Sequence, residues 1–287
     1  MRQDISFATR DGTRLGGWLY LPSGAPPFPC IVMSHGFTAV IDQGLPPFAE
    51  AYAHAGYACL VYDHRGYGRS AGTPRSETNP FLQMQDMRDA VTFAGTVAQI
   101  DEDQIVIWGT SYSGGHALVV GAVDRRVRAV IAIVPLTSGS QVIARSLDPK
   151  LLKERLQRAA HARRQEMETG ATVYQVHATA PESLGWFERS NSSNTWENRV
   201  STVSHDMVME YEPVAYIDRI APTPLLMIIT DSDRRSLTEL QIEAFERAQE
   251  PKKLISLPGG HYDVYESLRD TVAAASIDWL NSIFRQR

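Results

Sequence analysis

The chain has 287 residues, 43% hydrophobic and 21% charged, a formal net charge of −5 and two cysteines. That apolar content can offset the entropy of ordering, which excludes general disorder, and the length suits one large domain with an insertion or two smaller ones. The longest apolar stretches, around 129–136 and 225–229, fall far short of the roughly 20 residues a bilayer span needs, and a net negative chain lacks the basic stripe of a nucleic-acid surface. Met1-Arg-Gln-Asp opens without an apolar signal core, and Cys30 and Cys59 sit in apolar runs as expected of buried free thiols. The expectation is a cytoplasmic protein with neither a membrane nor a nucleic acid as partner.

In chain order, Ile5–Thr9 and Leu15–Leu21 flank Asp11-Gly12, a turn dipeptide, and predict a hairpin. Cys30–Met33 reads as a strand buried on both faces, Phe48–His54 as a short helix stopped by Gly56, and Tyr57–Tyr62 as a second buried strand. Phe81, Met84, Met87, Ala90, Val91 and Ala94 recur at helical spacing and predict a helix over Pro80–Thr96. Then follow strand Ile105–Trp108, helix Ser113–Val123, strand Val127–Val134, strand Leu225–Ile229, helix Leu237–Gln249, strand Lys253–Leu257 and a closing helix Tyr265–Phe284. Strands alternating with helices predict the α/β class, a mostly parallel sheet covered on both faces. Residues 137–213 break the rhythm, with basic helical patterns and no convincing buried strand. They read as a helical cap inserted at the carboxyl edge of the sheet, between core segments 1–136 and 214–287.

Gly109-Thr-Ser-Tyr-Ser-Gly-Gly115 follows a predicted strand and opens a helix. A serine on such a turn has a strained backbone that exposes its hydroxyl, and small residues must stand two before and two after it. Gly109 and Ser113 meet that need for Ser111, although glycine is usual at the second place. Ser113 is the less suitable nucleophile because its choice would shift the strand register. A serine needs a base, and His261 in Pro258-Gly-Gly-His-Tyr follows the last predicted strand. The base needs an acid. Asp233, in Thr230-Asp-Ser-Asp, is the better placed by loop length and Asp231 the second choice. In Ser34-His-Gly-Phe, Gly36 would let the Phe37 amide point at the reacting carbon, with the Tyr112 amide as the second oxyanion donor. His35 is expected to order this loop. Asp86, Arg88 and Asp89 on one helix read as surface pairs, and no cysteine–histidine spacing supports a metal site.

His35-Gly36-Phe37, Asp63–Ser70, Gly109–Gly115, the Asp233 loop and Gly260-His261 together resemble an α/β-hydrolase. The chain is similar in particular to the dienelactone-hydrolase and X-Pro-peptidase-like branch, and to the acyltransferase-like hydrolases found beside polyketide pathways. The resemblance implies a Ser-His-Asp triad in the order Ser111, Asp233, His261, no metal and no organic cofactor. The substrate is not fixed by it, because the fold hosts many chemistries.

Trp186, Phe187, Trp196, Met207 and Tyr211 in the insertion are candidates to line an apolar acyl pocket, with Tyr174 and Met209 nearby. The expected activity is hydrolysis of carboxylic esters, thioesters or lactones of a small-molecule acyl substrate through an acyl-enzyme. The alternatives are transfer of the acyl group to an alcohol or amine, peptidase activity anchored by Glu182, Glu188 or Glu210, and a binding relative without turnover. Association into a homodimer stays open.

Overall fold

A computed structural model describes residues 1–284. Strands β1 (Arg2–Ala8) and β2 (Arg14–Tyr20) form the expected antiparallel hairpin, with Ile5 opposite Gly17. Its turn is fixed by Asp11, whose Oδ1 accepts the Thr9 hydroxyl at 2.6 Å and the Thr13 amide at 3.0 Å. Then come β3 (Phe28–Ser34), α1 (Pro46–His54), β4 (Ala58–Tyr62), α2 (Pro80–Thr96), β5 (Ile100–Thr110), α3 (Ser111–Val123) and β6 (Val127–Ile133). After the intervening segment the chain closes with β9 (Leu225–Thr230), α8 (Thr238–Arg247), β10 (Lys252–Leu257) and α9 (Arg269–Phe284).

Among the described residues eight strands form one sheet, ordered β1-β2-β4-β3-β5-β6-β9-β10. β2 runs antiparallel to β1 and β4, and every other neighbouring pair is parallel. Strand side chains alternate between two cores. Ile31, Met33, Val61 and Trp108 pack on one face with Phe48 and Tyr52 of α1 and Val272 and Trp279 of α9. Cys30, Val32, Leu60 and Ile107 pack on the other with Met87 and Val91 of α2, Leu118 of α3 and Ala244 of α8. Burial on both faces is why these strands read as unbroken apolar runs. Each fully buried large aliphatic side chain contributes on the order of 1.5–3 kcal/mol. Trp108, fully buried, satisfies its indole by donating to the Tyr52 hydroxyl at 2.9 Å.

Between β6 and β9 lie α4 (Gly139–Ser146), α5 (Pro149–Thr169), α6 (Pro181–Ser190) and α7 (Ser204–Glu210). An antiparallel ladder of β7 (Tyr174–Gln175) and β8 (Val200–Ser201) joins them. β8 is a buried strand where none is expected from the sequence, and two residues are too few to make a periodicity.

Three other details differ from expectation. Helix α3 starts at Ser111, two residues early. The closing helix starts at Arg269 rather than Tyr265, because Asp263 gathers its own turn. Its carboxylate accepts the Gly260 amide at 2.7 Å and the Ser267 hydroxyl at 3.1 Å, and its carbonyl accepts the Leu268 amide at 2.8 Å. Asp86 is not a surface residue: it is fully buried, and Arg65 reaches it from the loop after β4 with Nε at 2.7 Å and Nη2 at 2.5 Å. Among the described residues no helix is long and apolar enough to cross a membrane.

Candidate active site

The parallel strands bring the loops after β3, β5, β6, β9 and β10 to one edge of the sheet, where open α/β sheets bind ligands. Ser111 stands where β5 passes into α3, with φ of +54°, a left-handed conformation rare for a residue with a side chain. The turn is held from three sides. The Ser111 carbonyl accepts the Leu136 amide at 2.9 Å. A Cβ on Gly109 would fall 2.0 Å from the Ser113 carbonyl oxygen, so only glycine fits there. A Cβ on Gly36 would come within 3.2 Å of the Ser111 Cβ, which shows how closely the β3 loop approaches the serine.

Ser111 Oγ lies 3.0 Å from His261 Nε2, and His261 Nδ1 lies 2.8 Å from Asp233 Oδ2. The carboxylate is pinned in turn. Its Oδ1 accepts the Arg235 and Ser236 amides at 2.7 and 3.0 Å, and its Oδ2 accepts Gln241 Nε2 at 2.9 Å. Burial alone would raise the Asp233 carboxyl. The His261 charge and hydrogen bond and the two amides outweigh it and hold the group below the usual carboxylate range. An ionised Asp233 accepting from Nδ1 leaves Nε2 free to take a hydroxyl proton. Asp231 is fully exposed and accepts the Gly259 amide at 3.1 Å, so it braces the loop that carries His261.

The Phe37 amide makes no hydrogen bond among the described residues. The Tyr112 amide lies in the first turn of α3, where a helix leaves its donors free. The two rings meet edge to face at 5.0 Å. His35 orders the loop, as expected: Nε2 accepts the His64 amide at 3.0 Å and Nδ1 donates to the Gly36 carbonyl at 2.9 Å. Serine rather than glycine stands at 113 because its hydroxyl is used. It donates to the His35 carbonyl at 2.5 Å and meets His64 Nε2 at 2.7 Å.

Ser111 and His261 line a cavity of about 290 Å³, together with Phe37 and Tyr112. Trp186 and Phe187 line it too, but Trp196, Met207 and Tyr211 do not, which corrects three of the five pocket candidates. Trp196 stacks on Phe187 at 4.6 Å. Tyr211 is buried because its hydroxyl donates to His116 Nδ1 at 2.6 Å, the other ring nitrogen donating to Gln83 Oε1. Met207 lies on the short helix α7, which lines the cavity with His205 and Val208 instead. Sequence reasoning missed Arg155, His177, His205 and Arg235, which also line the cavity. The signals were present only as a basic helical pattern and scattered histidines. Among the described residues no group of histidine, cysteine and carboxylate side chains could hold a metal ion.

Comparison with known proteins identifies the family. A family model for X-Pro dipeptidyl-peptidases (S15 family) matches residues 11–263. Polyketide transferase grgF of a Penicillium species is 31% identical over 97% of this chain and 96% of its own length. Thiohydrolase aneE of Aspergillus aculeatus is 30% identical over 88% of this chain and 83% of its own. The crystal structure of α/β-hydrolase GrgF from Penicillium superposes with a TM-score of 0.88 at 29% identity, covering 99% of both chains. The chain belongs to the X-Pro dipeptidyl-peptidase (S15) family and is a hydrolytic enzyme with the α/β-hydrolase fold.

Proposed function

We propose that this enzyme cleaves the ester, thioester or lactone bond of a small-molecule acyl group, with Ser111 as nucleophile, His261 as proton carrier and Asp233 as its orienting acid. The observation that carries the reading is the unbroken chain of contacts from Ser111 Oγ through His261 to a pinned carboxylate, opening on one cavity. His261 Nε2 accepts the Ser111 proton as Oγ attacks the carbonyl carbon, and the charge on the imidazolium is met by Asp233. The carbonyl oxygen becomes an oxyanion facing the Phe37 and Tyr112 amides, where one such donor is worth roughly 3–4 kcal/mol of barrier. His261 then gives its proton to the departing alcohol or thiol. Water, deprotonated by the same nitrogen, releases the acid.

Residues 137–213 act in this reading as a cap. They supply Val142, Ile143, Trp186, Phe187 and Val208 to the cavity, a wall suited to a hydrocarbon chain. A thioester substrate is supported by relatives named thiohydrolase. Acyl transfer is the second reading, favoured by relatives named polyketide transferase. Product analysis with a competing alcohol or amine separates the two. A peptidase would need a carboxylate to hold a substrate ammonium, and no carboxylate lines the cavity among the described residues. Glu182, one of the suggested anchors, faces Arg235 at 3.7 Å.

Turnover of p-nitrophenyl butyrate tests the reading. It should fall by at least about 1,000-fold in Ser111→Ala. Undiminished turnover in that variant would remove the assignment.

A further inference from the structure

The cavity has a polar side that the cleavage reaction does not use. Arg155 of α5 lines it half-buried. One guanidinium nitrogen donates to the His205 carbonyl at 3.0 Å, while Nε is buried and meets no acceptor among the described residues. No carboxylate forms an ion pair with Arg155 among them either: Asp206, the closest acidic influence, is engaged by Arg163 at 3.0 Å. His177, which lines the same cavity, carries a buried Nδ1 that likewise lacks a partner. His205 accepts from Gln175 Nε2 at 2.8 Å on Nδ1, so its proton sits on Nε2 as a donor. Burial holds His177 down at about 4 and His205 at about 3, so both rings are neutral near pH 7 and the arginine is the charge of the group. Arg235, the other arginine of the wall, also has a buried Nε without an acceptor among the described residues, but it faces the Glu182 carboxylate at 3.7 Å.

An arginine taken halfway out of water with no carboxylate partner is costly to keep, and its planar fork fits a carboxylate edge-on. We propose that Arg155, with His177 and His205 as neutral hydrogen-bonding neighbours, is a subsite for a carboxylate carried by the acyl substrate at the end remote from the scissile carbonyl. The subsite adjoins the reacting centre. The Phe37 ring, whose own amide faces the oxyanion, lies 5.3 Å from the His177 ring and 5.8 Å from the His205 ring. The acyl chain would lie along Trp186 and Phe187 with its carbonyl at Ser111 and its carboxylate at Arg155. This deepens the proposed function and rests on the cavity being the acyl pocket.

The test pairs p-nitrophenyl monoesters of straight-chain dicarboxylic acids, adipate to sebacate, with the methyl esters of the same acids. Charge-assisted bonds of this kind correspond to roughly 10- to 100-fold. The wild-type enzyme should favour the free acid by that factor in kcat/KM at the best chain length, mainly through KM. In Arg155→Gln the ratio should collapse to about one, and Arg155→Lys should recover part of it. Arg158→Gln, an exposed position on the same helix outside the cavity, should keep it. Each ratio is internal to one preparation, so partial misfolding does not imitate the result. No preference at any length, or an equal preference in Arg155→Gln, overturns the subsite. If the wild type hydrolyses neither series, the hydrolase reading fails, and calorimetry with Ser111→Ala then decides the subsite separately. Suberate binding more tightly than dimethyl suberate, with the difference lost on adding Arg155→Gln, supports it. Equal binding overturns it.

Discussion

Two aspartates stand two residues apart after β9, and their surroundings give them different work. Asp233 is buried, receives two backbone amides and the Gln241 amide, and faces His261. Asp231 is exposed and braces Gly259. Asp233→Asn should lower kcat by about 1,000- to 10,000-fold, because the wrong imidazole tautomer would face Ser111. Asp231→Asn should leave kcat within about threefold. Steady-state kinetics on the two variants checks this, and comparable losses would contradict the division of roles. The placing of Ser111, Asp233 and His261 at one sheet edge was readable because each stands at or within a few residues of the end of a parallel strand. The cavity wall was not. Whether Trp186 or Trp196 faces the serine depends on how irregular segments fold back, and no period in the sequence records it. Arg155 sits in a stretch of α5 that reads as a solvated basic helix face, and its burial comes from tertiary neighbours such as His205.

The junction of β5 and α3 is the element on which the site depends, since the strained Ser111 persists only while its neighbours leave room. Gly109→Ala forces a Cβ against the Ser113 carbonyl. It should cost at least about 2 kcal/mol in urea unfolding and abolish turnover. A fully stable, active variant would mean that the turn can relax. Helix α2 offers a milder case. Asn79 Oδ1 accepts the Phe81 and Leu82 amides at 3.1 and 3.2 Å, and Asn79→Ala should cost about 1 kcal/mol with activity retained. This helix has the bounds its apolar spacing predicts, because Pro80 starts it and the spacing runs unbroken to Thr96. The start of α9 was not legible, since an Asp263 turn held by its own side chain looks like one more turn of helix in the sequence. Sequence periodicity located elements whose burial is regular and failed where side-chain hydrogen bonds cut an element short.

Across the whole molecule, burial holds five histidines below their ordinary value among the described residues. His35 lies at about 4, His116 at about 3, His177 at about 4, His205 at about 3, and His64 well below 6.5. Between pH 7 and 5 the unfolded chain takes up protons on these rings and the folded chain does not, so stability should fall on acidification. Asp63 opposes this. Burial raises its carboxyl to about 6, so the folded form gains a proton as pH falls through 6. Burial also raises the Glu77 and Asp86 carboxyls, so three carboxyls stand against five imidazoles and the balance is a net loss. Urea midpoints at pH 7.5, 6 and 5 should decrease in that order, and a constant or rising midpoint would contradict the neutral cluster. In the proposed mechanism the ends of β5, β9 and β10 converge to activate one hydroxyl. Peptide mapping by mass spectrometry after treatment with a fluorophosphonate reads that activation directly. A single stoichiometric adduct is expected on Ser111, slowed in His261→Ala and lost in Ser111→Ala. An adduct on Ser113, or none in the folded wild-type protein, would contradict the mechanism.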